Sequence, residues 1–389
     1  MVGERELGIV GLLPAPTTSS FTVAAVVAGV AGMVAVWRAP DDSDVVGAAA
    51  IGLVVAATVA GLALLVLVPG GLRFPGVAHV AYLGLVVATP MVGVALGGRV
   101  LTAAALPDVG VVVAVVMVVP AALGWYATHV EPYQLVVDRA TVTIDSRRAG
   151  DDPVRIGVLT DLQTDDPGPH ERAAVDRLLA EEPDLILLPG DLFQGSPASF
   201  VEHEDEMRAL LGRLKAPHGV YLARGDHDVG DYADRLVRGT GIVVLDDETV
   251  DVTVGDRRLR LGGNRLRYDH PPAVALRREL EDARTEMETE DQGTIRILVA
   301  HRPDAVLDLA PGSRVDLTVA GHTHGGQIVL PGVGPLVTFS RVPRHVGAGG
   351  LHEIDGNLIY VGTGVGLERG QAPQVRLFCR PSIGVLELH

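Results

Sequence analysis

Four apolar runs, at 21–37, 45–68, 77–98 and 109–128, contain no Asp, Glu, Lys or Arg. Each is close to the ~20 residues a helix needs to cross the hydrocarbon of a bilayer. Charged or Pro/Gly-rich breaks separate them, as at Arg38-Ala39-Pro40-Asp41-Asp42, and Trp37, Trp125 and Tyr126 sit near run ends where amphipathic rings prefer the headgroups. Pro90 and Pro120 predict kinks inside spans rather than breaks. The pattern predicts a tail over 1–20 and a four-helix transmembrane region over 21–128. Glu4-Arg5-Glu6 does not suit a cleaved signal peptide.

Beyond Thr128 the pattern changes. Residues 134–144 alternate apolar and polar positions and predict a half-exposed strand, so 129–150 reads as a linker with a first strand. Short apolar runs follow, each ending in a polar residue: Ile156-Gly157-Val158-Leu159-Thr160 before Asp161, Leu185-Ile186-Leu187-Leu188-Pro189-Gly190 before Asp191, and Val220-Tyr221-Leu222-Ala223-Arg224-Gly225 before Asp226. Ile295 to Ala300 leads to His301, and Leu317 to Gly321 leads to His322. Residues 171–181 have helical spacing, so the first two runs read strand–helix–strand. Strands joined by helical crossovers make an α/β sheet that binds ligands at its carboxyl ends. Strands joined by a turn at Gly255-Asp256 (241–261), a charged amphipathic helix (272–292) and further strands (358–388) supply a second sheet within a domain over 151–389.

Composition sharpens the division. The 389 residues are 48% hydrophobic but only 4% aromatic, with a formal net charge of −16 that falls mainly after residue 128. No Lys/Arg block offers a nucleic-acid footprint, and nucleic acid is not expected as a partner. Cys379 is the only cysteine, which excludes a disulfide framework and a Cys-based zinc site. Four spans put both ends on one side of a cell membrane. Arg5, Arg73, Arg139, Arg147 and Arg148 on that side, against Arg38 and Arg99, favour a cytoplasmic catalytic domain. Spans free of acidic and basic side chains argue against an ion pathway.

The chemistry concentrates in Gly321-His322-Thr323-His324-Gly325-Gly326-Gln327, where two imidazoles one residue apart can face the same side of a strand end. Asp161, Asp191, Asp226, His301, His322 and His324 together offer more donors than a tetrahedral ion needs. They suit two divalent ions sharing a carboxylate, which could hold a phosphoryl group and activate a hydroxide. His227 remains as general acid, with Asp228 available to orient its ring.

The order Asp161, Gly190-Asp191, Gly225-x-His227-Asp228, His301 and Gly321-His322-x-His324 resembles the calcineurin-like metallophosphoesterase superfamily. Gly325-Gly326-Gln327-Ile328, Tyr360-Val361-Gly362-Thr363-Gly364 and Arg376-Leu377-Phe378-Cys379-Arg380-Pro381 are similar to a membrane-associated bacterial branch related to UDP-2,3-diacylglucosamine pyrophosphatase. The resemblance implies a four-layer αββα sandwich and a di-metal phosphoesterase. It also implies roles: Asp161 and His324 on one ion, Asp191 bridging, Asp226, His301 and His322 on the other, and His227 protonating the leaving group. Two positions depart from the family pattern. Asp161-Leu162-Gln163 stands for Asp-x-His, so Gln163 offers only an amide oxygen as a ligand. Gly225-Asp226-His227-Asp228 stands for Gly-Asn-His-Asp/Glu, and the added carboxylate lowers the charge of two ions and their ligands from roughly +2 to +1. That favours Mn²⁺ or Mg²⁺, with Fe or Zn²⁺ as alternatives, and a phosphodiester or pyrophosphate over a dianionic monoester. Membrane lipid and a lipid-linked substrate are the partners proximity suggests. The alternative is a metal-binding membrane sensor or scaffold with weakened turnover. His170 is a candidate stand-in for the missing imidazole, and Arg341, Arg344, Arg369 and Arg376 are candidates for the cleft mouth.

Overall fold

The computed structural model describes residues 18–39, 45–67, 74–102, 108–144, 152–264, 293–369 and 372–389. The chain divides into a unit of Met1–Thr128 with Glu368–Gln374 and a unit of His129–Leu367 with Val375–His389. The amphipathic helix expected at 272–292 lies outside the described residues.

The first unit is helical: α1 (Thr18–Arg38), α2 (Val45–Leu67), α3 (Phe74–Leu83), α4 (Thr89–Thr102) and α5 (Asp108–His129). A π turn over Gly84–Ala88 joins α3 to α4 just ahead of Pro90, whose ring cannot sit under a regular preceding turn. The Thr89 hydroxyl donates to the Gly84 carbonyl, 3.1 Å away, and the helix bends without breaking. Gly32 and Gly52 let α1 and α2 meet closely: a Cβ on either would press on the other's carbonyl and on Val92 of α4. Small residues thus fill the interior, while Val111, Val112, Val115, Val116 and Val119 of α5 are exposed. Gly76–Thr102 and Val109–Tyr133 are long and apolar enough to cross a membrane. Among the described residues the shorter apolar stretches Thr22–Arg38 and Val46–Leu62 lie within α1 and α2, so the structure supports two of the four expected spans.

The second unit packs two six-stranded sheets face to face. The first holds β1 (Val136–Val142), β2 (Val154–Val158), β3 (Leu185–Leu188), β4 (Val220–Leu222) and β5 (Val243–Val244), with β14 (Ser382–Leu388) inserted between β1 and β2. β2 to β5 run parallel, and β14 is antiparallel to β2. The second sheet holds β6 (Thr249–Val254), β7 (Arg257–Asn264), β8 (Thr294–Ala300), β9 (Leu317–Ala320), β12 (Gly350–Ile354) and β13 (Asn357–Val361), in the order β12-β13-β9-β8-β7-β6. A short hairpin, β10 (Val329–Leu330) and β11 (Gly334–Pro335), lies between β9 and β12 in sequence. Successive side chains of a strand face opposite ways, and every residue of β8 is buried. Ile295, Ile297 and Val299 enter the core between the sheets with Leu187, Leu259, Val319, Tyr360 and Leu386. Leu298 and Ala300 instead meet Val306, Val342 and Val346 on the far side, under the 3-10 turn Pro303–Asp308. The first sheet is covered by α6 (Pro169–Ala180), α7 (Pro197–Leu211) and α8 (Tyr232–Val237) through Val175, Leu178, Phe200, Met207 and Leu236. The 134–144 strand, the 171–181 helix and the turn at Gly255-Asp256 all form as the periodicity predicts.

Candidate metal centre

Parallel β2, β3, β4, β8 and β9 end toward one region, and the loops beyond them carry Asp161, Asp191, Asp226, His301 and His322. Their backbone is strained in a localised way. Asp161, Gln163, Asp191, His322 and His324 have φ of 49°, 39°, 55°, 71° and 48°, a region that non-glycine residues seldom occupy. Such strain persists where surrounding structure over-determines it, and it clusters at functional sites. The loops also touch: a Cβ on Gly225 would overlap Asp191 Oδ1, and one on Gly321 would overlap Thr160 Oγ1 and Asp161 Oδ2. Only glycine allows those approaches.

Two donor groups result, Asp226–His301–His322 and Asp161–Asp191–His301, each with ligand atoms within 4.8 Å of one another. Asp226 Oδ2 lies 3.0 Å from His322 Nδ1 and 3.9 Å from His301 Nε2. Asp191 Oδ2 lies 3.3 Å from His301 Nε2 and 3.9 Å from His227 Nε2. Asp161 Oδ1 lies 3.8 Å from His324 Nε2. The rings are held from behind. His301 Nδ1 donates to the Pro189 carbonyl at 2.7 Å, and His322 Nε2 donates to the Phe339 carbonyl at 3.2 Å. Each ring therefore turns its other nitrogen toward carboxylates.

His301 Nε2 tests whether this donor set fits a cation. It is fully buried and makes no hydrogen bond, although carboxylates lie close on two sides. A neutral ring would aim a lone pair at negative charge, so a cation belongs between them. Burial works against a charged ring, yet Asp191, with Asp161 and Asp226, pulls the His301 pKa up to about 10. A divalent ion would replace that proton. Burial raises the Asp226 and Asp191 carboxyls, but the neighbouring rings outweigh it. His322 and His301, with Arg302, hold Asp226 far below the usual carboxylate range, and His301 and His227 bring Asp191 below its ordinary value.

Three expectations change. Asp228 does not orient the His227 ring. It is buried, its Oδ2 accepts the backbone N–H of Asp191 and Gly225 at 2.8 Å, and its Oδ1 accepts that of Leu192 at 3.0 Å. Adjacent residues project differently, so Asp228 reaches the β3 loop while His227 meets the side-chain amide of Gln194 at 3.1 Å. His170 stays outside the donor groups, with its ring on the Val365 carbonyl and edge-on to Tyr133. Arg376 is no cleft-mouth residue. It is fully buried and donates to the carbonyls of Thr363, Gly364 and Gly366, clamping a loop whose Gly364 abuts Asp161 and His324. Arg341 pairs with Asp304, and Arg344 reaches the Pro335 carbonyl.

Sequence reasoning also missed partners. Gln163 is buried beside the centre and its Nε2 donates to Gln194 Oε1 at 3.0 Å, so a chain of amides runs from Gln163 to His227. Arg302 grips Asp226 with Nε and a terminal nitrogen at 3.0 and 2.8 Å. The one available signal was its place directly after His301, with Asp226 as a carboxylate the family pattern lacks.

A calcineurin-like phosphoesterase family profile matches residues 154–326. The chain is 27% identical over 273 residues to the metallophosphoesterase YkuE of Bacillus subtilis, covering 68% of this chain and 88% of YkuE. It is 30% identical over 221 residues to the phosphodiesterase YaeI of Escherichia coli, covering 54% of this chain and 72% of YaeI. A metallophosphoesterase of Helicobacter pylori shares 28% identity over 198 residues, with about half of each chain covered (49% and 48%). The matched span holds every residue of the two donor groups, and a phosphoryl group is what such a pair of cation sites can hold. The chain therefore belongs to the calcineurin-like metallophosphoesterases and is a metal-dependent hydrolase of phosphoric ester bonds.

Proposed function

We propose that the protein hydrolyses a phosphodiester or pyrophosphate bond at two divalent ions, beside a membrane and on a lipid-linked substrate. Asp161, Gln163 and His324 would hold one ion, Asp226, His301 and His322 the other, and Asp191 both. The observation that carries this reading is His301 Nε2, buried, without a hydrogen bond and 3.3 Å from Asp191 Oδ2. When bound, the ions would neutralise phosphoryl oxygens and lower the pKa of an attacking water. The protein's own part is positioning. Pro189 and Phe339 fix the two rings through their carbonyls, Asp228 ties the β3 and β4 loops, and Arg376 braces the loop behind Asp161. His227, half-exposed and held by Gln194 at its ring and by Asp191 Oδ1 at its backbone N–H, is placed to give a proton to the leaving oxygen.

Residues 151–389 form the catalytic domain in this reading, and 21–128 anchor it in the cell membrane with the catalytic side in the cytoplasm. The exposed valines of α5 support the anchor, since water would disfavour such a surface. The relative named a phosphodiesterase supports the bond type.

The test is hydrolysis of bis-p-nitrophenyl phosphate by the full chain in detergent with Mn²⁺, before and after chelation. Chelation should abolish turnover, and His227→Ala should lower kcat by about 10²–10⁴-fold, the usual worth of a general acid. Equal rates for both proteins would overturn the enzymatic role of His227. Turnover that survives chelation would overturn the two-ion reading.

A further inference from the structure

The extra carboxylate at the centre is answered by an extra cation. Asp226 stands where the family pattern has a neutral amide, and counting only ions and carboxylates leaves the site roughly one charge less positive. Arg302 follows His301 directly and reaches across to the β4 loop. Its Nε lies 3.1 and 3.0 Å from Asp226 Oδ1 and Oδ2, and its terminal nitrogen lies 2.8 Å from Oδ2. This is the two-pronged geometry in which guanidinium is strongest and for which lysine is a poor substitute. The same Oδ2 faces His322 Nδ1 at 3.0 Å, so one carboxylate is shared between the metal-facing ring and the guanidinium. Asp226 keeps only 11% of its side-chain exposure and Arg302 keeps 36%. The carboxylate thus faces inward while the cation sits toward solvent, where a phosphate would approach.

From this geometry we infer that Asp226 and Arg302 act as one unit: together they replace the neutral amide, and Arg302 sets both the cation affinity of the Asp226 side and its grip on phosphate. The inference rests on the two-ion reading. With Arg302 counted, two divalent ions, three carboxylates and one guanidinium sum to roughly +2, as two ions and two carboxylates do with a neutral amide. The pair therefore preserves total charge but moves part of it from the ions to the rim. A phosphodiester or pyrophosphate would meet the guanidinium before, and together with, the ions. Arg302 is on this account a specificity-determining residue, and Asp226 need not weaken phosphate binding.

The measurements are calorimetric Mn²⁺ binding to metal-stripped full-length protein and inorganic phosphate binding to the Mn²⁺-loaded protein, for Arg302→Gln, Asp226→Asn, the double variant and Arg302→Lys. Arg302→Gln should tighten Mn²⁺ about tenfold and weaken phosphate about tenfold, a size set by a partly exposed charge. Asp226→Asn should weaken Mn²⁺ by at least about tenfold, because it removes a ligand and leaves the guanidinium unopposed. The double variant should return to within about threefold of the parent in both titrations, and Arg302→Lys should keep Mn²⁺ affinity within about threefold because it keeps the charge. If the double variant stays more than about threefold from the parent in either titration, the two residues do not offset each other and the inference is overturned. A parent protein that binds fewer than two ions would overturn the two-ion reading itself, whatever the variants do.

Discussion

The two halves of the candidate centre are built differently. On the Asp226 side, carboxylate and ring approach to 3.0 Å, a second ring is buried against two carboxylates, and Arg302 supplies a counter-charge. On the Asp161 side the nearest carboxylate–ring distance is 3.8 Å, and Gln163 occupies the place of a family imidazole. One half is rich in charge and pre-tightened; the other relies on a carboxylate that already accepts from Thr160 Oγ1 at 2.6 Å and from the His322 N–H at 3.1 Å. The difference teaches that the ions need not bind alike: the Asp226 half should fill first and the Asp161 half should set the metal concentration needed for turnover.

The largest test removes what the halves share. Asp191 is buried, approaches His301 and His227, and accepts the His227 backbone N–H at 2.8 Å. Asp191→Ala should reduce kcat by about 10³-fold or more and abolish the two-step metal titration, since neither half keeps its ligand set. Activity within tenfold of the parent, with two ions still bound, would show that the halves are independent.

A smaller and more selective change sharpens the contrast. Gln163→His restores the family's imidazole on the weaker half. Imidazole suits Zn²⁺ better than an amide oxygen does, so the second binding step should tighten for Zn²⁺ by about tenfold while the first stays constant. The substitution also cuts the amide chain to Gln194, and His227 loses an indirect support. A titration in which both steps move equally would contradict the division into halves.

Much of the centre could be read from the chain because strands announce themselves by apolar runs, and Asp161, Asp191, Asp226, His301 and His322 each stand just beyond one. The β1 alternation and the Gly255-Asp256 turn are likewise local signals, and both formed. What escaped notice was long-range. Arg302 matters only because the β8 loop lies against the β4 loop, 76 residues away in sequence. Arg376 read as a candidate for the cleft mouth, yet the segment after β13 buries it among carbonyls. Gln194 gained its meaning from Gln163 and His227, two residues on other loops.

Asp228 supplies the smallest expected effect and the cleanest separation of roles. Adjacency to His227 suggests a ring-orienting carboxylate, and the structure instead spends both oxygens on three backbone amides of the β3 and β4 loops. Asn is nearly isosteric, but its Nδ2 must face an N–H donor where a carboxylate oxygen now accepts. One lost and one opposed contact in a buried site cost about 2 kcal/mol. For a domain of this size that is roughly a 5 °C fall in Tm. Asp228→Asn should therefore unfold several degrees early in a thermal scan of the metal-loaded protein, while kcat falls less than about tenfold because no contact to the His227 ring is removed. A ring-orienting carboxylate would give the opposite pattern, an unchanged Tm with a kcat loss of the size expected for a misaligned general acid. The loops that carry Asp191 and Asp226 meet at Asp228, so its loss should be felt in both halves of the centre, as a modest and similar weakening of each metal-binding step.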